Sequence, residues 1–514
     1  MFNQIFDALQ NGNDVRGAAI AVENEKRTLT PDMAGFIAAG FIEYLSEKLG
    51  KVPSQLRIGI GRDSRLTGEA LLAGAAIGLG EATVYDCGMI STPAMFQSTV
   101  LKGSDFDASV MITASHLPFH RNGMKFFTKD GGLEHDELSA VLQKAAAIAE
   151  QYGTEAKDGL VEAAQPYTHV GKRESFDLVS LYAENLCGII KEKVQSADRE
   201  HPLNGLHIVV DAGNGAAGFF ADRILQKLGA DTSGSVFLEP DGTFPNHIPN
   251  PENAAAMDAI KSAVLQAKAD LGVIFDCDGD RGAVVFADGT EVNRNTLIAL
   301  LAAIAKDDAP HSVIVTDSVT SDELTAFLEG SLGMQHLRFK RGYKNVIDKA
   351  IELNKAGTDC PLAIETSGHG AFRENYFSDD GAYLSIMIIC RLAMMKAQGK
   401  DLSALIADLQ QPAEAIEKRY SIADVPDYKT FSQTVLKAFQ AFAEQEPLFH
   451  IVTPNYEGIR VSFDDADAQG WLLMRASLHD PVIPLNIESR SAGGCARILE
   501  RIQPFVDKFG LHEK

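Results

Sequence analysis

Residues 113–125 read Thr113-Ala114-Ser115-His116-Leu117-Pro118-Phe119-His120-Arg121-Asn122-Gly123-Met124-Lys125. The run before them, Ala108-Ser109-Val110-Met111-Ile112, has the length and apolar character of a buried strand. Ser115 therefore stands just past a strand end, where open α/β sheets place ligand chemistry. Pro118 stops regular structure, Gly123 permits a tight return, and Lys125 comes back within reach as a cation. Taken alone, the stretch is equally a surface loop in which Ser115 is only a turn former. The other loops decide between the two.

The second informative stretch is Phe275-Asp276-Cys277-Asp278-Gly279-Asp280-Arg281-Gly282, at the end of the apolar run Leu271-Gly272-Val273-Ile274. Three carboxylates at every second position repel one another unless a cation joins them, and oxygen ligands suit a hard ion such as Mg²⁺. Arg281 would stand beside them and bind a phosphate oxygen. A third strand, Leu362-Ala363-Ile364, enters Glu365-Thr366-Ser367-Gly368-His369-Gly370. In an extended loop Glu365, Ser367 and His369 project together, and they make good hydrogen-bond partners for vicinal hydroxyls. Near the C-terminus, Arg475 to Pro481 offers a guanidinium, a hydroxyl (Ser477) and an imidazole (His479), a monophosphate grip or a simple hairpin bend. The basic patch Arg338-Phe339-Lys340-Arg341-Gly342-Tyr343-Lys344, with Lys340 at its centre, is either a phosphate contact or a solvated charge run.

Smaller features support these loops. Gly61-Arg62-Asp63-Ser64-Arg65, directly after the strand Leu56 to Ile60, reads as a scaffold of Arg–Asp hydrogen bonds. Gly17 after Arg16 suggests a turn that exposes a guanidinium. A helix starts with Thr30 as N-cap and Pro31 in its first turn, and stops at Gly50. Residues 136 to 200 look helical. The glycine-rich turn Asp211 to Gly218 opens a helix from Phe220 to Leu228; its spacing is not that of a dinucleotide fingerprint. Helices are also expected over Tyr428 to Ala443 and Gly494 to Phe509.

At 514 residues the chain is too long for one core, and its length suggests about three to four domains. A plan of strand, glycine-containing loop and helix restarts near residues 56, 206 and 312, which reads as an internal repeat. From about residue 413 the pattern becomes an antiparallel α+β module. The expected domains are 1–175, 176–295, 296–412 and 413–514. A net charge of −23 argues against a nucleic-acid partner. It also requires that any phosphate ester be met by local cations, metal or backbone N–H groups. No window is apolar enough for a membrane span, and no signal peptide is visible. Six scattered cysteines without zinc or C-x-x-C spacing fit reduced thiols in the cytoplasm.

With four loops in this order, the chain resembles the α-D-phosphohexomutase family, the phosphoglucomutases and phosphomannomutases. The motifs that carry it are Ser115-His116-x-Pro118…Asn122-Gly123-x-Lys125, Asp276-x-Asp278-Gly279-Asp280-Arg281, Glu365-x-Ser367-Gly368-His369 and Arg475-x-Ser477. Asp14-Val15-Arg16-Gly17 and Gly61-Arg62-Asp63-Ser64-Arg65 also fit. The resemblance implies three similar mixed-sheet α/β domains plus a C-terminal α+β domain around a central cleft. It implies that Ser115 carries the phosphoryl group and that Asp276, Asp278 and Asp280, with an oxygen of phospho-Ser115, hold Mg²⁺. Arg16, His116, Lys125 and Arg281 would surround the transferring group, with Lys125 or His116 as general base. Glu365, Ser367 and His369 would read sugar hydroxyls, and Arg475, Ser477 and His479 would hold the phosphate that does not react. The implied reaction interconverts hexose 1-phosphate and hexose 6-phosphate (glucose and/or mannose) through a hexose 1,6-bisphosphate, which is also the activator. The chain departs from the family pattern at Leu117, at Leu478-His479-Asp480, and at Asn486, where a further arginine is common. The alternatives are a phosphoglucosamine mutase, a phosphatase in which Asp276 is the phosphorylated group, and a catalytically weak paralogue serving as a scaffold.

Overall fold

The computed structural model describes all residues except 153–154, 158, 163–171, 478–480 and 514, and the side chains of 155, 157 and 162. The chain forms two compact units. The first comprises residues 1–293, 367–370 and 378–402; the second comprises 294–366, 371–377 and 403–514.

In the first unit, helix α1 (Pro31–Leu49) begins and ends as the sequence requires. The Thr30 hydroxyl accepts the Met33 N–H at 3.2 Å, Pro31 occupies the first turn, and Gly50 closes the helix at φ 64°. α1 packs on α2 (Gly68–Gly78) and α3 (His135–Gln151). A Cβ at Gly78 would lie 1.9 Å from the Gly35 carbonyl oxygen, so only glycine lets α1 and α2 approach this closely. Met33, Phe36, Ile37 and Phe41 of α1 are buried with Ile58, Ile60, Val110 and Ile112 of the sheet. Each such side chain contributes roughly 1.5–3 kcal/mol of burial.

That sheet has eight strands. Its centre is β1 (Asp14–Ala18), β2 (Arg57–Arg62), β3 (Thr83–Met89), β4 (Ala108–Ile112) and β5 (Arg121–Thr128). β3, β2 and β4 are parallel neighbours; β5 returns antiparallel to β4, and β1 pairs antiparallel with β5. Gly123 is therefore not in a return loop. It lies within β5 opposite Arg16, and a Cβ there would stand 2.1 Å from the Val15 carbonyl oxygen. The helical expectation for residues 136–200 holds for α3 and for Leu178–Val194; between them, strand Arg173–Ser175 joins the sheet beside β3.

A second sheet contains β6 (Ile208–Asp211), β7 (Leu271–Phe275) and β8 (Gly282–Phe286). β6 and β7 are parallel, β8 is antiparallel to β7, and Val236 bridges β6 in parallel. The segment expected as a helix from Phe220 is a wide π turn to Leu225 followed by a tight turn to Leu228.

In the second unit, β9 (Val313–Thr316) lies between β10 (Gln335–Arg338) and β11 (Leu362–Ile364), parallel to both, and β12 (Gly370–Phe372) follows β11 in the sheet. The three α/β sheets thus share one core order: a flanking strand, the first strand, the strand before a site loop, and its return strand. In each, the loop is the one that joins the last two: residues 113–120, 276–281 and 365–369. The C-terminal sheet is antiparallel through β13 (Glu414–Ser421), β14 (Ile459–Phe463), β15 (Gly470–Met474) and β16 (Val482–Ser489). Helices Tyr428–Ala443 and Gly494–Lys508 cover it through Phe439, Ile498 and Phe505. All six cysteines are buried, and none forms a disulfide. No helix among the described residues is long and apolar enough to cross a membrane.

Candidate active site

Ser115 leaves β4 in a left-handed conformation, φ 51°, which non-glycine residues adopt only when their surroundings impose it. The cause is local. The Thr113 hydroxyl accepts the Ser115 N–H at 2.9 Å and donates to Asp63 Oδ2 at 2.6 Å. Arg65, fully buried, donates to the carbonyls of Pro118 at 2.9 Å, Arg121 at 2.8 Å and Leu117 at 2.5 Å, and also to that of Ser115. Its Nε stands 3.3 Å from Asp63 Oδ2. The Arg–Asp scaffold read from the sequence therefore exists, and its target is the backbone of the Ser115 loop.

The Ser115 hydroxyl donates to Asp276 Oδ2 at 2.9 Å. Asp276, Asp278 and Asp280 are buried, and each offers a carboxylate oxygen within 4.8 Å of the others. The turn that gathers them needs Gly279 at φ 73°, and Asp276 Oδ1 accepts the Gly279 N–H at 3.0 Å. Cations surround the trio. Lys125 Nζ lies 2.5 Å from Asp280 Oδ2 and 3.4 Å from Asp278 Oδ2. Arg281 Nε lies 3.7 Å from Asp276 Oδ2. Arg16 donates to Asp14 at 2.8 Å and to the Thr113 carbonyl at 3.2 Å. It is largely buried rather than solvated, and although burial lowers its pKa, Asp14 and Asp278 hold it above the usual arginine value. Burial and the charges of Asp280 and Asp278 push Asp276 well above the carboxylate range. Burial pushes Asp280 upward too, but Lys125, His369 and Arg281 outweigh it and hold its pKa below the usual value.

His116 Nδ1 lies 2.7 Å from Arg281 Nη2 and 3.4 Å from Ser115 Oγ. A guanidinium only donates, so Nδ1 is the acceptor and the imidazole is neutral there. The Arg281 charge, burial and the Arg16 charge together lower its pKa to about 2.

The loop of residues 365–369 differs from the alternating extended segment expected from sequence. Residues 366–368 turn, with Gly368 at φ 93°, so the period of two that would align Glu365, Ser367 and His369 is broken. Ser367 and His369 belong to the first unit and Glu365 to the second. His369 Nδ1 sits 2.5 Å from Asp379 Oδ2 and 3.8 Å from Asp280 Oδ1, and Asp379 Oδ1 accepts the Gly370 N–H at 2.9 Å. Sequence reading missed Asp379. It also gave no role to Thr92, whose hydroxyl donates to Asp278 Oδ2 at 2.5 Å. The Thr92 contact spans 186 positions, and the Asp379 contact spans ten, a separation that no helix or strand period marks.

In the second unit, Glu365 Oε1 accepts the Gly342 N–H at 2.7 Å. Arg475 is buried. Ser477 lies just past β15, its N–H donating to the Val482 carbonyl at 3.3 Å. His479 lies outside the described residues. Lys340 is half-buried, with Nζ 5.9 Å from the Phe339 ring centre. Arg341, read from sequence as part of the basic patch, donates its N–H to Glu457 Oε2 at 3.1 Å; Glu457 and Asp317 were not singled out.

Models of the phosphoglucomutase/phosphomannomutase alpha/beta/alpha domains I, II and III match residues 8–152, 182–289 and 293–413. A phosphoglucomutase of Neisseria gonorrhoeae is 30% identical over 485 residues, 94% of each chain. This chain belongs to the phosphoglucomutase/phosphomannomutase family. Another similar member is a phosphomannomutase/phosphoglucomutase of Pseudomonas putida, 30% identical over 86% of this chain and 85% of that one. Among solved structures, a phosphoglucomutase/phosphomannomutase family protein from Burkholderia thailandensis matches with a TM-score of 0.77, at 27% identity and over 99% of both chains. The fold class read from sequence stands: three mixed-sheet α/β domains and a C-terminal sheet domain.

Proposed function

We propose that this enzyme interconverts hexose 1-phosphate and hexose 6-phosphate, of glucose and mannose, through a phosphorylated Ser115 and a hexose 1,6-bisphosphate. The observation that carries the reading is the contact of the Ser115 hydroxyl with Asp276 at 2.9 Å, at the edge of three converging buried carboxylates. The donor set fits a hard divalent cation. Asp278 Oδ1 and Asp280 Oδ1 are buried without a hydrogen-bond partner, two orphaned oxygens that a cation would satisfy. Asp276, Asp278, Asp280 and a phosphate oxygen on Ser115 would hold Mg²⁺. Bound there, Mg²⁺ supplies charge neutralisation for the phosphoryl group.

In each half-reaction one P–O bond breaks and another forms. Phospho-Ser115 loses its phosphoryl group to a sugar hydroxyl, and Ser115 later takes back the other phosphate. Transfer passes through a loose transition state, so holding the groups in line and neutralising charge do most of the catalysis. Arg16 and Arg281 face that charge as fixed donors. Lys125 balances Asp278 and Asp280. The proton of the sugar hydroxyl needs an acceptor. His116 is poorly placed for this role, since Arg281 occupies its Nδ1 lone pair. His369, oriented by Asp379, has the arrangement of an imidazole base with its carboxylate partner. Glu365 and Ser367 are assigned to sugar hydroxyls; Lys340, Arg475, Ser477 and His479 are assigned to the second phosphate.

The test is incubation with labelled glucose 1,6-bisphosphate, followed by peptide mapping and coupled assays on glucose, mannose and glucosamine 1-phosphates. Label on Ser115 with turnover of the first two sugars is expected. An acyl phosphate on Asp276 would overturn the reading, and turnover of glucosamine 1-phosphate alone would reassign the substrate.

A further inference from the structure

Within the second unit, Arg475 is 6% exposed, and its buried Nε has no hydrogen-bond partner. The neighbouring strand offers no cation in support: Asn486 on β16 is uncharged and donates to Glu417 at 3.2 Å. A second guanidinium comes instead from the loop before helix Tyr343–Lys355. The Arg341 N–H donates to Glu457 Oε2 at 3.1 Å, and Arg341 Nε lies 3.6 Å from Asp317 Oδ2. Glu457 also accepts the Ser318 hydroxyl. The next residue, Gly458, lies directly on Arg475: a Cβ there would stand 2.2 Å from the Met474 carbonyl oxygen and 2.9 Å from Arg475 Cα. The Glu457–Gly458 pair therefore ties the Arg341 backbone to the strand end that carries Arg475.

Two guanidiniums held near each other repel. Their mutual influence is visible on Arg475, whose pKa is lowered first by burial and next by the Arg341 charge. Glu457, Glu417 and Asp317 offset this only in part. Asp317 is raised to about 7, chiefly by burial, and its Oδ1 is buried without a partner. A doubly charged tetrahedral anion would satisfy both arginines, since each presents a planar fork of donors suited to phosphate oxygens.

We propose that Arg341 is the second guanidinium of the site for the non-transferring phosphate, which binds a phosphate monoester dianion jointly with Arg475. The proposal rests on the mutase reading above and deepens it. It is tested in the full-length enzyme with Arg341→Gln, Arg341→Lys, Asp317→Asn and Arg475→Ala. The readouts are glucose 1-phosphate kinetics and calorimetric binding of inorganic phosphate. Because the grip persists through both half-reactions, its loss raises KM and spares kcat. Arg341→Gln is expected to raise KM and the phosphate Kd by about tenfold or more, a typical loss for a charged hydrogen bond. Arg341→Lys should fall between it and the wild type, and Asp317→Asn, which removes the negative charge competing for Arg341, should bind inorganic phosphate no more weakly than the wild type. The proposal is overturned if Arg341→Gln keeps the wild-type constants while Arg475→Ala raises them. It is equally overturned if Asp317→Asn reproduces the Arg341→Gln effect, for Arg341 would then act only as a partner of Asp317. If the wild type turns over no hexose phosphate, the mutase reading fails, while loss of phosphate binding in Arg341→Gln would still support the anion site.

Discussion

The Ser115 hydroxyl donates to Asp276 across 161 positions of sequence, at 2.9 Å. Each residue lies in the loop between a strand and its antiparallel return strand in its own sheet, so the contact brings equivalent loops of two repeats together. Ser115→Ala keeps the loop backbone and removes only the oxygen. Labelling from glucose 1,6-bisphosphate should then vanish and mutase activity fall by several orders of magnitude, with an unchanged melting temperature. Intact labelling in that variant would place the phosphoryl group elsewhere.

Arg65 touches no substrate group in this reading, yet it holds three carbonyls of the Ser115 loop and that of Arg121 at the start of β5. Arg65→Met leaves Asp63 as a buried carboxylate without its cation. A loss of about 3–5 kcal/mol in urea unfolding is expected, the usual cost of breaking a buried pair from one side. Relaxation of Ser115 from its left-handed backbone should lower kcat more than it raises KM.

If the carboxylate trio holds a divalent cation, stability depends on that ion. Added Mg²⁺ should raise the melting temperature of the wild-type protein and restore activity after chelation. Asp278→Asn removes one charge and one ligand. It should need more Mg²⁺ for half-maximal activity, yet melt no lower than wild type in chelator, since mutual repulsion among the acids is reduced. A variant with unchanged Mg²⁺ dependence would remove Asp278 from the ligand set.

Glu488 links stability to pH. Trp471 Nε1 donates to its Oε2 at 3.0 Å, and Arg460, Glu323 and Asp322 are the charged groups nearby. Burial, then the Glu323 charge, raise its pKa from 4.5 to about 7. The folded chain therefore holds a proton that the unfolded chain has already released, and stability falls as pH rises from 4.5 to about 7. Glu488→Gln keeps an acceptor for Trp471 and removes the titration. Its advantage over wild type should grow across that window to on the order of 3 kcal/mol. Equal pH profiles would show that Glu488 titrates normally.

Local chemistry made much of this legible. Thr30, Pro31 and Gly50 mark a helix because capping acts within one turn. The runs at 108–112 and 362–364 mark strands because they are apolar throughout and short. The alternating aspartates marked a convergence of carboxylates, and the three do gather behind the strand end, each with an oxygen within 4.8 Å of the others. The failures share a cause. Gly123 looked like a turn, but a strand crossing from residues 14–18 explains it. Glu365, Ser367 and His369 looked aligned until Gly368 turned the chain between them. Thr92 and Glu457 meet partners more than a hundred positions away, and Asp379 meets His369 at a spacing that no helix or strand period marks.

The common strand order carries one more consequence. Residues 113–120, 276–281 and 365–369 leave the same place on three frames, yet one bears a buried serine hydroxyl, one a cluster of acids and one a carboxylate–hydroxyl–imidazole set. The frame is indifferent to what its hairpin carries. Copies of one ancestral module could therefore diverge in chemistry by rewriting a handful of loop positions, while the strands beneath kept their pairing.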